Sequence, residues 1–447
     1  MTERESKKIL LISYHFPPSA AVGGVRVASF AKYLRDLGWC PYVLTVKDRY
    51  LARKDPARLE SLEGIPIVKA GKLVTPRDLY ISAKTVLGRW RGGESEESDS
   101  AGGGDQGSSS GQVAVQRLKH ILASMIYVPD EERNWIIPAA LKAIRLLRSE
   151  EIDYVLSSCP PYSAHLVGLL ASLARPRVKW IADFRDPWMT PTEKKGYPTT
   201  PLSNFLDYSL EKTVIQRAAL VLATTKKLTE KYAEHYRQSA AEKFRFVPNG
   251  FDGDLSARTR EPYPVFTISY AGTLYFGRTP EPLFAAVSSL IHDKAVSEED
   301  LCIKLAGHCR EIGDRLTVDV AESYGLSNVV EVIDHLPLAA SREMVQRSHL
   351  ALLLAPDQPY QVPAKTYEYI GLGVPILAIT GEGATADLVN ELPDGKAVSP
   401  EDVAALKAHL LDAIQGVACP LPGGEHWREQ YARRNAVQGL EQFLHRL

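Results

Sequence analysis

Long apolar runs are missing from this sequence: none approaches the length of a transmembrane helix, so no spanning segment is expected. The start, MTERESKKILLISY, passes from charged residues straight into a short strand, and no signal peptide is expected from it. Cysteine is sparse and scattered. Cys40, Cys159, Cys302, Cys309 and Cys419 form no CxxC pair, and Cys302 and Cys309 are too far apart for a usual zinc knuckle. Buried thiols in a reducing cytoplasm are the expected state. An excess of charge is also lacking: 53 Lys and Arg against 54 Asp and Glu give a net charge of −1, which offers no global basis for a nucleic-acid partner. No cluster of metal ligands stands out, so no metal and no other cofactor is expected.

What is present is alternation. With 447 residues the chain exceeds one ordinary core, and two α/β domains are the natural division. The strand KKILLISY ends at Tyr14. The loop HFPPSAAVGGVR, a helix from Val25 to Leu37 that stops at Gly38, and the strand PYVLTV follow. This β-loop-α-β unit opens a doubly wound parallel sheet. The loop lacks the GxGxxG spacing, so an NAD site is not supported. Gly23 and Gly24 either form an ordinary tight turn or let the backbone approach an anionic group, with Arg26 adding a charge-assisted contact.

After the strand IPIVKA the pattern fails. Residues 92–112, GGESEESDSAGGGDQGSSSGQ, cannot bury apolar surface and are read as a disordered insertion inside the first domain. The basic, partly apolar flanks LGRWR and QRLKHILASMIYV either pack on their own domain or form an amphipathic face for an anionic membrane or lipid-linked substrate. Alternation then resumes through IPAALKAIRLLRSE, DYVLSSC, PPYSAHLVGLLASLA, KWIADF, LSNFLDYSLEKTVIQRA, LVLATT and FRFVPN. Polar residues gather where these strands end: Ser157 and Ser158, His165, then Asp183, Arg185, Asp186 and Trp188. Ligands bind at such carboxyl ends in open α/β sheets. The alternatives are a satisfied helix histidine for His165 and a salt-bridged loop cap for the Asp-Arg-Asp group.

Asn249-Gly250 closes the first domain, and FTISYAGTLYFGR opens the second, with a strand ending in Ala271-Gly272-Thr273 and Arg278 on the loop beyond. CIKLAG, VVEVID and LALLLA are further strands. The stretch PAKTYEYIGLGVPILAITGEG then places Pro363 at a helix start, Lys365 in the first turn, Glu368 a turn further on, and Gly373 at the helix end before a buried strand. Lys365 and Glu368 share one helix face. They are either a solvated pair or the cation and carboxylate of a site for a ligand with phosphate at one end and hydroxyls at the other. HWREQYARRNAVQGLEQFLHRL reads as one amphipathic helix.

Taken together, ISYHFPPSAAVGGVR, IADFRDPW, VPNGFD, YAGTLYFGR and KTYEYIGLGVPILA resemble glycosyltransferase family 4, over nearly the whole chain outside 92–112. IADFRDPW is similar to its counterpart in polysaccharide-building members. The resemblance implies a GT-B fold, two Rossmann-like doubly wound β/α domains facing across a cleft. Residues 1–255 are then the acceptor-side domain, 256–425 the nucleotide-sugar-binding domain, and 426–447 a helix crossing back to the first.

It further implies a retaining transferase that moves a sugar from a nucleotide-sugar donor to a glycan or lipid-linked acceptor in cell-surface polysaccharide or glycoconjugate assembly. Such an enzyme acts in the cytoplasm, at the inner face of the membrane, with peripheral membrane contact. Carried over by motif, Glu368 binds the donor ribose, and Gly23, Gly24, Arg26, Gly272, Thr273, Lys365 and Thr366 belong to the donor site. Arg278 neutralises the departing diphosphate, while His165, Asp183 and Arg185 face the transferred sugar and acceptor. Two departures stand out. The family's first glutamate, separated from its second by seven intervening residues, falls at Tyr360, with Asp357 out of register, and the lysine usual after the Gly-Arg motif is absent from TPEPLF. A GT-B nucleotide-sugar epimerase using Asp183 or Asp186 and a non-catalytic sugar-nucleotide-binding homologue are the competing readings.

Overall fold

A computed structural model describes residues 7–74, 120–121, 124–189, 198–253, 261–275, 277–356, 358–416 and 426–447. The 92–112 stretch, LGRWR, the start of QRLKHILASMIYV, Asp357 and Cys419 lie outside them. The chain divides into two compact units, one of residues 1–222 with 236–243 and 447, the other of residues 223–235 with 244–446.

The first sheet is built from β1 (Lys8–Ile12), β2 (Cys40–Val46), β3 (Ile67–Ala70), β4 (Tyr154–Cys159), β5 (Lys179–Phe184), β6 (Leu220–Ala223) and β7 (Phe244–Phe246), in the order β3-β2-β1-β4-β5-β6-β7. Its helices are α1 (Val25–Asp36), α2 (Ile136–Ser149), α3 (Ser163–Ala174), α4 (Pro201–Arg217) and α5 (Lys226–His235). β1 pairs in parallel with both β2 and β4, so the winding reverses between β1 and β4. Ile9 to Ile12 are all fully buried, as expected of a central strand covered on both faces.

The second sheet holds β8 (Phe266–Thr273), β9 (Leu301–His308), β12 (Val330–Ile333), β13 (Leu350–Leu354), β14 (Ile376–Ile379) and β15 (Gly395–Val398), ordered β12-β9-β8-β13-β14-β15, while β10 (Glu311–Ile312) and β11 (Arg315–Leu316) form a small hairpin. The helices are α6 (Glu281–His292), α7 (Thr317–Ser323), α8 (Leu338–Gln346), α9 (Ala364–Leu372), α10 (Ala384–Glu391), α11 (Val403–Ile414), α12 (His426–Glu429) and α13 (Arg433–His445). Side chains alternate across this sheet with period two. Leu350, Leu352 and Leu354 join one core with Leu377 and Ile379, and Ala351 and Leu353 join the opposite core with Ile376 and Ala378. The reversal here falls between β8 and β13, where β8 pairs in parallel with both β9 and β13.

The final stretch is not one helix. It breaks between Glu429 and Arg433, where Phe251 N–H donates to Tyr431 O at 3.1 Å and Arg433 N–H donates to Phe251 O at 3.0 Å. These bridge bonds take backbone groups that a continuous helix needs for itself. Gly250 and Gly371 allow the approach: a Cβ on Gly250 would meet Arg433 N at 3.0 Å, and one on Gly371 would meet the Phe251 ring at 2.6 Å.

Candidate active site

Each sheet brings its polar candidates to its own reversal point, where diverging connections leave a crevice at the strands' carboxyl ends. In the second unit, β8 ends in Ala271-Gly272-Thr273, and the segment after β13 leads into α9. Pro363 precedes that helix, and Gly373 closes it in the left-handed conformation at φ 67°. From the first turn Lys365 Nζ donates to Ala271 O at 3.0 Å and lies 4.2 Å over the ring of Tyr270. Gly272 is what admits it, since a Cβ there would overlap the ammonium. Tyr270 is held in turn by its hydroxyl, which donates to Thr273 O at 2.9 Å.

Burial, with the charge of Arg278 added, lowers the Lys365 pKa to about 8. Arg278 stacks 4.5 Å over Tyr275. Two cations are therefore held near one another at a strand-end crevice, against both desolvation and mutual repulsion. A dianionic group relieves both. Glu368, one turn along α9, pairs with Arg342 of α8 at 3.5 Å, and both side chains remain substantially exposed. Thr366 is fully buried, and its hydroxyl has no hydrogen-bond partner.

In the first unit, Arg26 and Asp183 meet. Arg26 Nε lies 3.1 and 3.2 Å from the two Asp183 oxygens, a terminal nitrogen lies 2.9 Å from Oδ1, and Ser158 Oγ donates to Oδ2 at 2.7 Å. Both charges are buried. Arg185 is a clamp: its guanidinium donates to the carbonyls of Cys159 (2.7 Å), Pro160 and Gly23. The glycine pair fits around this packing. A Cβ on Gly23 would meet Arg185 at 2.7 Å, and one on Gly24 would meet His15 O at 3.1 Å.

His165 is fully buried. Its Nδ1 lies 2.8 Å from Ser157 Oγ, which also accepts from Trp180 Nε1 at 2.9 Å. With the indole donating to it, Ser157 Oγ keeps a second lone pair and its own proton, so it can either accept from or donate to Nδ1. Burial lowers the pKa to about 3, so the ring is neutral, and Nε2 has no partner.

The structure thus joins Arg26 to Asp183, Arg185 to Gly23, and Lys365 to Ala271 beside Gly272, with Arg278 near the last pair. Tyr270, Arg342 and Trp180 enter without having been singled out as candidates. Their roles depend on contacts between distant segments, which no local spacing marks. Tyr360 lies with its carbonyl accepting from Thr225 Oγ1 at 2.8 Å and with Lys231 Nζ 4.0 Å over its ring. Among the described residues, no group of three or more His, Cys, Asp or Glu is placed to hold a metal ion.

Residues 23–255, more than half of the chain, match the model of Glycosyltransferase Family 4. No curated protein sequence matches the chain. Solved structures resemble it along almost its whole length. A glycosyltransferase from Rickettsia africae is 13% identical, with a TM-score of 0.61 and 98% of each chain covered. Anabaena HepE in complex with UDP-glucose is 15% identical, with a TM-score of 0.60, 98% of this chain and 100% of that one covered. The lipopolysaccharide outer core galactosyltransferase WaaB is 12% identical, with a TM-score of 0.59, 98% of this chain and 99% of that one covered. At such identities the likeness is one of fold, and the fold class is GT-B: two Rossmann-like doubly wound β/α units in one chain.

Proposed function

The chain belongs to glycosyltransferase family 4, and from that membership we propose that it is a retaining transferase using a nucleoside-diphosphate-sugar donor. The observation that carries the donor reading is the placing of Lys365 and Arg278 at the β8–β13 reversal, where burial first and the Arg278 charge second lower the lysine pKa. A diphosphate at that place gains both charges together with the N–H groups of the first turn of α9. Glu368, on the same helix, is the group for the ribose hydroxyls. The complex of HepE with UDP-glucose supports this choice of donor class.

In the reaction the bond from the anomeric carbon to the phosphate oxygen breaks, and a bond to the acceptor oxygen forms on the same face. The acceptor proton passes to the leaving phosphate. Lys365 and Arg278 neutralise the charge that develops there, and no metal ion has a part. The acceptor is a glycan or lipid-linked sugar in cell-surface polysaccharide or glycoconjugate assembly, a reading supported by the likeness to WaaB.

The enzyme works in the cytoplasm at the inner face of the membrane. Among the described residues no helix is long and apolar enough to cross a membrane. The outer side of α2 exposes Ile137 and Leu141 with Arg145 and Arg148, a combination suited to peripheral contact with anionic lipid.

Thermal unfolding with a panel of nucleoside diphosphates and nucleotide sugars tests the donor. A ligand at a hundredfold excess over its dissociation constant stabilises by about 2.7 kcal/mol. Proton NMR of the product formed from the stabilising donor then reads the anomeric configuration. No stabilisation by any donor favours a non-catalytic homologue, for which Tyr360 in place of the family's glutamate is the supporting feature. Inversion at the anomeric carbon refutes retention.

A further inference from the structure

The helix α9 is only nine residues long, and a helix that short takes its position from what packs on it. Thr366, Tyr367, Tyr369 and Ile370 are buried and fix one side. Lys365, Glu368 and Gly371 follow one another at intervals of three and form a stripe on the other. At the head of the stripe Lys365 is tied to Ala271 O. Glu368 in the middle is partly exposed beside Arg342. Gly371 at the foot is covered by the ring of Phe251.

That ring is fitted to bare backbone. A Cβ on Gly371 would meet Cγ and Cδ2 of Phe251 at 2.6 Å each, about 1 Å inside ordinary carbon contact. Phe251 is buried in the same core as Tyr367 and Ile370, and its backbone is held as well. Its N–H donates to Tyr431 O at 3.1 Å, its carbonyl accepts from Arg433 N–H at 3.0 Å, and Arg433 pairs with the neighbouring Asp252. The segment that holds it touches α9 at two further points. The ring centroid of Tyr431 lies 6.2 Å from that of Tyr367. The Arg428 guanidinium occupies the place a Cβ on Gly373 would take, at the negative end of the helix dipole. Two segments far apart in sequence, 250–252 and 428–433, therefore fasten the last turn of α9.

We propose that Phe251 is a positioning residue for the donor, its ring on Gly371 setting the height and rotation of α9 and so the place of Glu368, an inference that rests on the donor reading above. The pair of Glu368 with Arg342 at 3.5 Å is exposed and yields readily. Lys365 depends less on the ring, because the Ala271 carbonyl holds its ammonium directly. Gly371 and Glu368 are separated by about 4.5 Å of helix rise, and a close-packed interior passes a shift at one to the other. A displacement of about 1 Å carries a hydrogen bond of ordinary length past its useful range.

Calorimetric titration of the full chain with UDP, GDP, their 2′,3′-dideoxy forms and inorganic pyrophosphate tests the role of Phe251. Gly371→Ala is expected to weaken the better-bound ribonucleotide about tenfold, the worth of one hydrogen bond to a charged group. The dideoxy form and pyrophosphate should bind almost as they do to the wild type. The double variant Gly371→Ala with Phe251→Leu, whose smaller side chain leaves room for the methyl, should recover most of the loss. A merely structural contact would lower the unfolding midpoint without separating ribose from dideoxyribose. Wild-type affinity in folded Gly371→Ala, or equal losses for the ribonucleotide and its dideoxy form, overturns the positioning role. Where Gly371→Ala does not fold, Phe251→Leu alone decides: a loss confined to the ribonucleotide supports the role, and unchanged affinity overturns it. Glu368→Ala separates the two readings. If it weakens the ribonucleotide while the Gly371 and Phe251 variants do not, the positioning role falls and the donor reading stands. If the wild type binds no nucleoside diphosphate better than pyrophosphate, the donor reading falls and the positioning role falls with it.

Discussion

Lys365 reaches the carbonyl of Ala271 across the bare backbone of Gly272, in the place a methyl group would take. A Gly272→Ala change therefore acts on the lysine more than on the strand. The far end of a flexible side chain moves aside at little cost, and alanine suits a strand slightly better than glycine. Unfolding stability is expected to stay within about 1 kcal/mol of the wild type. Nucleoside diphosphate affinity is expected to fall about tenfold, the worth of one charge-assisted contact. Calorimetric titration beside a urea unfolding curve checks both.

The pH dependence of binding follows from the same ammonium. In the ligand-free protein its pKa is lowered to about 8, and a bound diphosphate raises it. Affinity is thus full below pH 8 and declines as pH rises toward the pKa of the complex, about tenfold between pH 7 and pH 9. Proton uptake on binding at pH 8.5, read by titration in buffers of different ionisation enthalpy, is the direct signature. Lys365→Met should flatten the profile. The ligand-free fold follows the opposite sign: its stability rises between about pH 8 and the ordinary lysine value, because there the unfolded chain binds the extra proton.

Glu368 and Arg342 are both too exposed for their ion pair to contribute much to stability. Glu368→Ala should leave unfolding within about 0.5 kcal/mol of the wild type. It should weaken a ribonucleoside diphosphate by about 1.5–3 kcal/mol, the range for hydrogen bonds to a charged group. A 2′,3′-dideoxy nucleotide should bind the variant and the wild type alike, because the partners of the carboxylate are then missing already.

The frame of the molecule was legible in the sequence because it is written locally. Alternating apolar residues mark the strands, Pro363 and Gly373 bracket α9, and strand ends announce where polar groups collect. Partnerships were not legible. Arg26 and Asp183 are 157 positions apart, and no local spacing marks the contact that the fold makes between them. Arg185 likewise spends its guanidinium on three carbonyls, one of them Gly23. The periodicity of the C-terminal stretch continues through Tyr431 and predicts one helix, which only the tertiary bridge at Phe251 interrupts. The shared charge of Lys365 and Arg278 lies between: each residue carried a motif, but their proximity comes from the β8–β13 reversal.

The buried pair also separates a structural role from a catalytic one. Asp183 is fully buried and is satisfied by Arg26 and Ser158, while Arg26 additionally lies 4.7 Å over the ring of Phe30. Removing either charge strands the other in a medium that cannot solvate it. Arg26→Met and Asp183→Asn are each expected to destabilise by about 3–5 kcal/mol, read from urea unfolding. The double variant Arg26→Met with Asp183→Leu removes both charges and keeps apolar volume, and it should recover most of that loss. A stable double variant that still transfers sugar would assign the pair to the architecture of the first unit. A stable double variant that binds donor but transfers nothing would give Asp183 a part in the reaction as well.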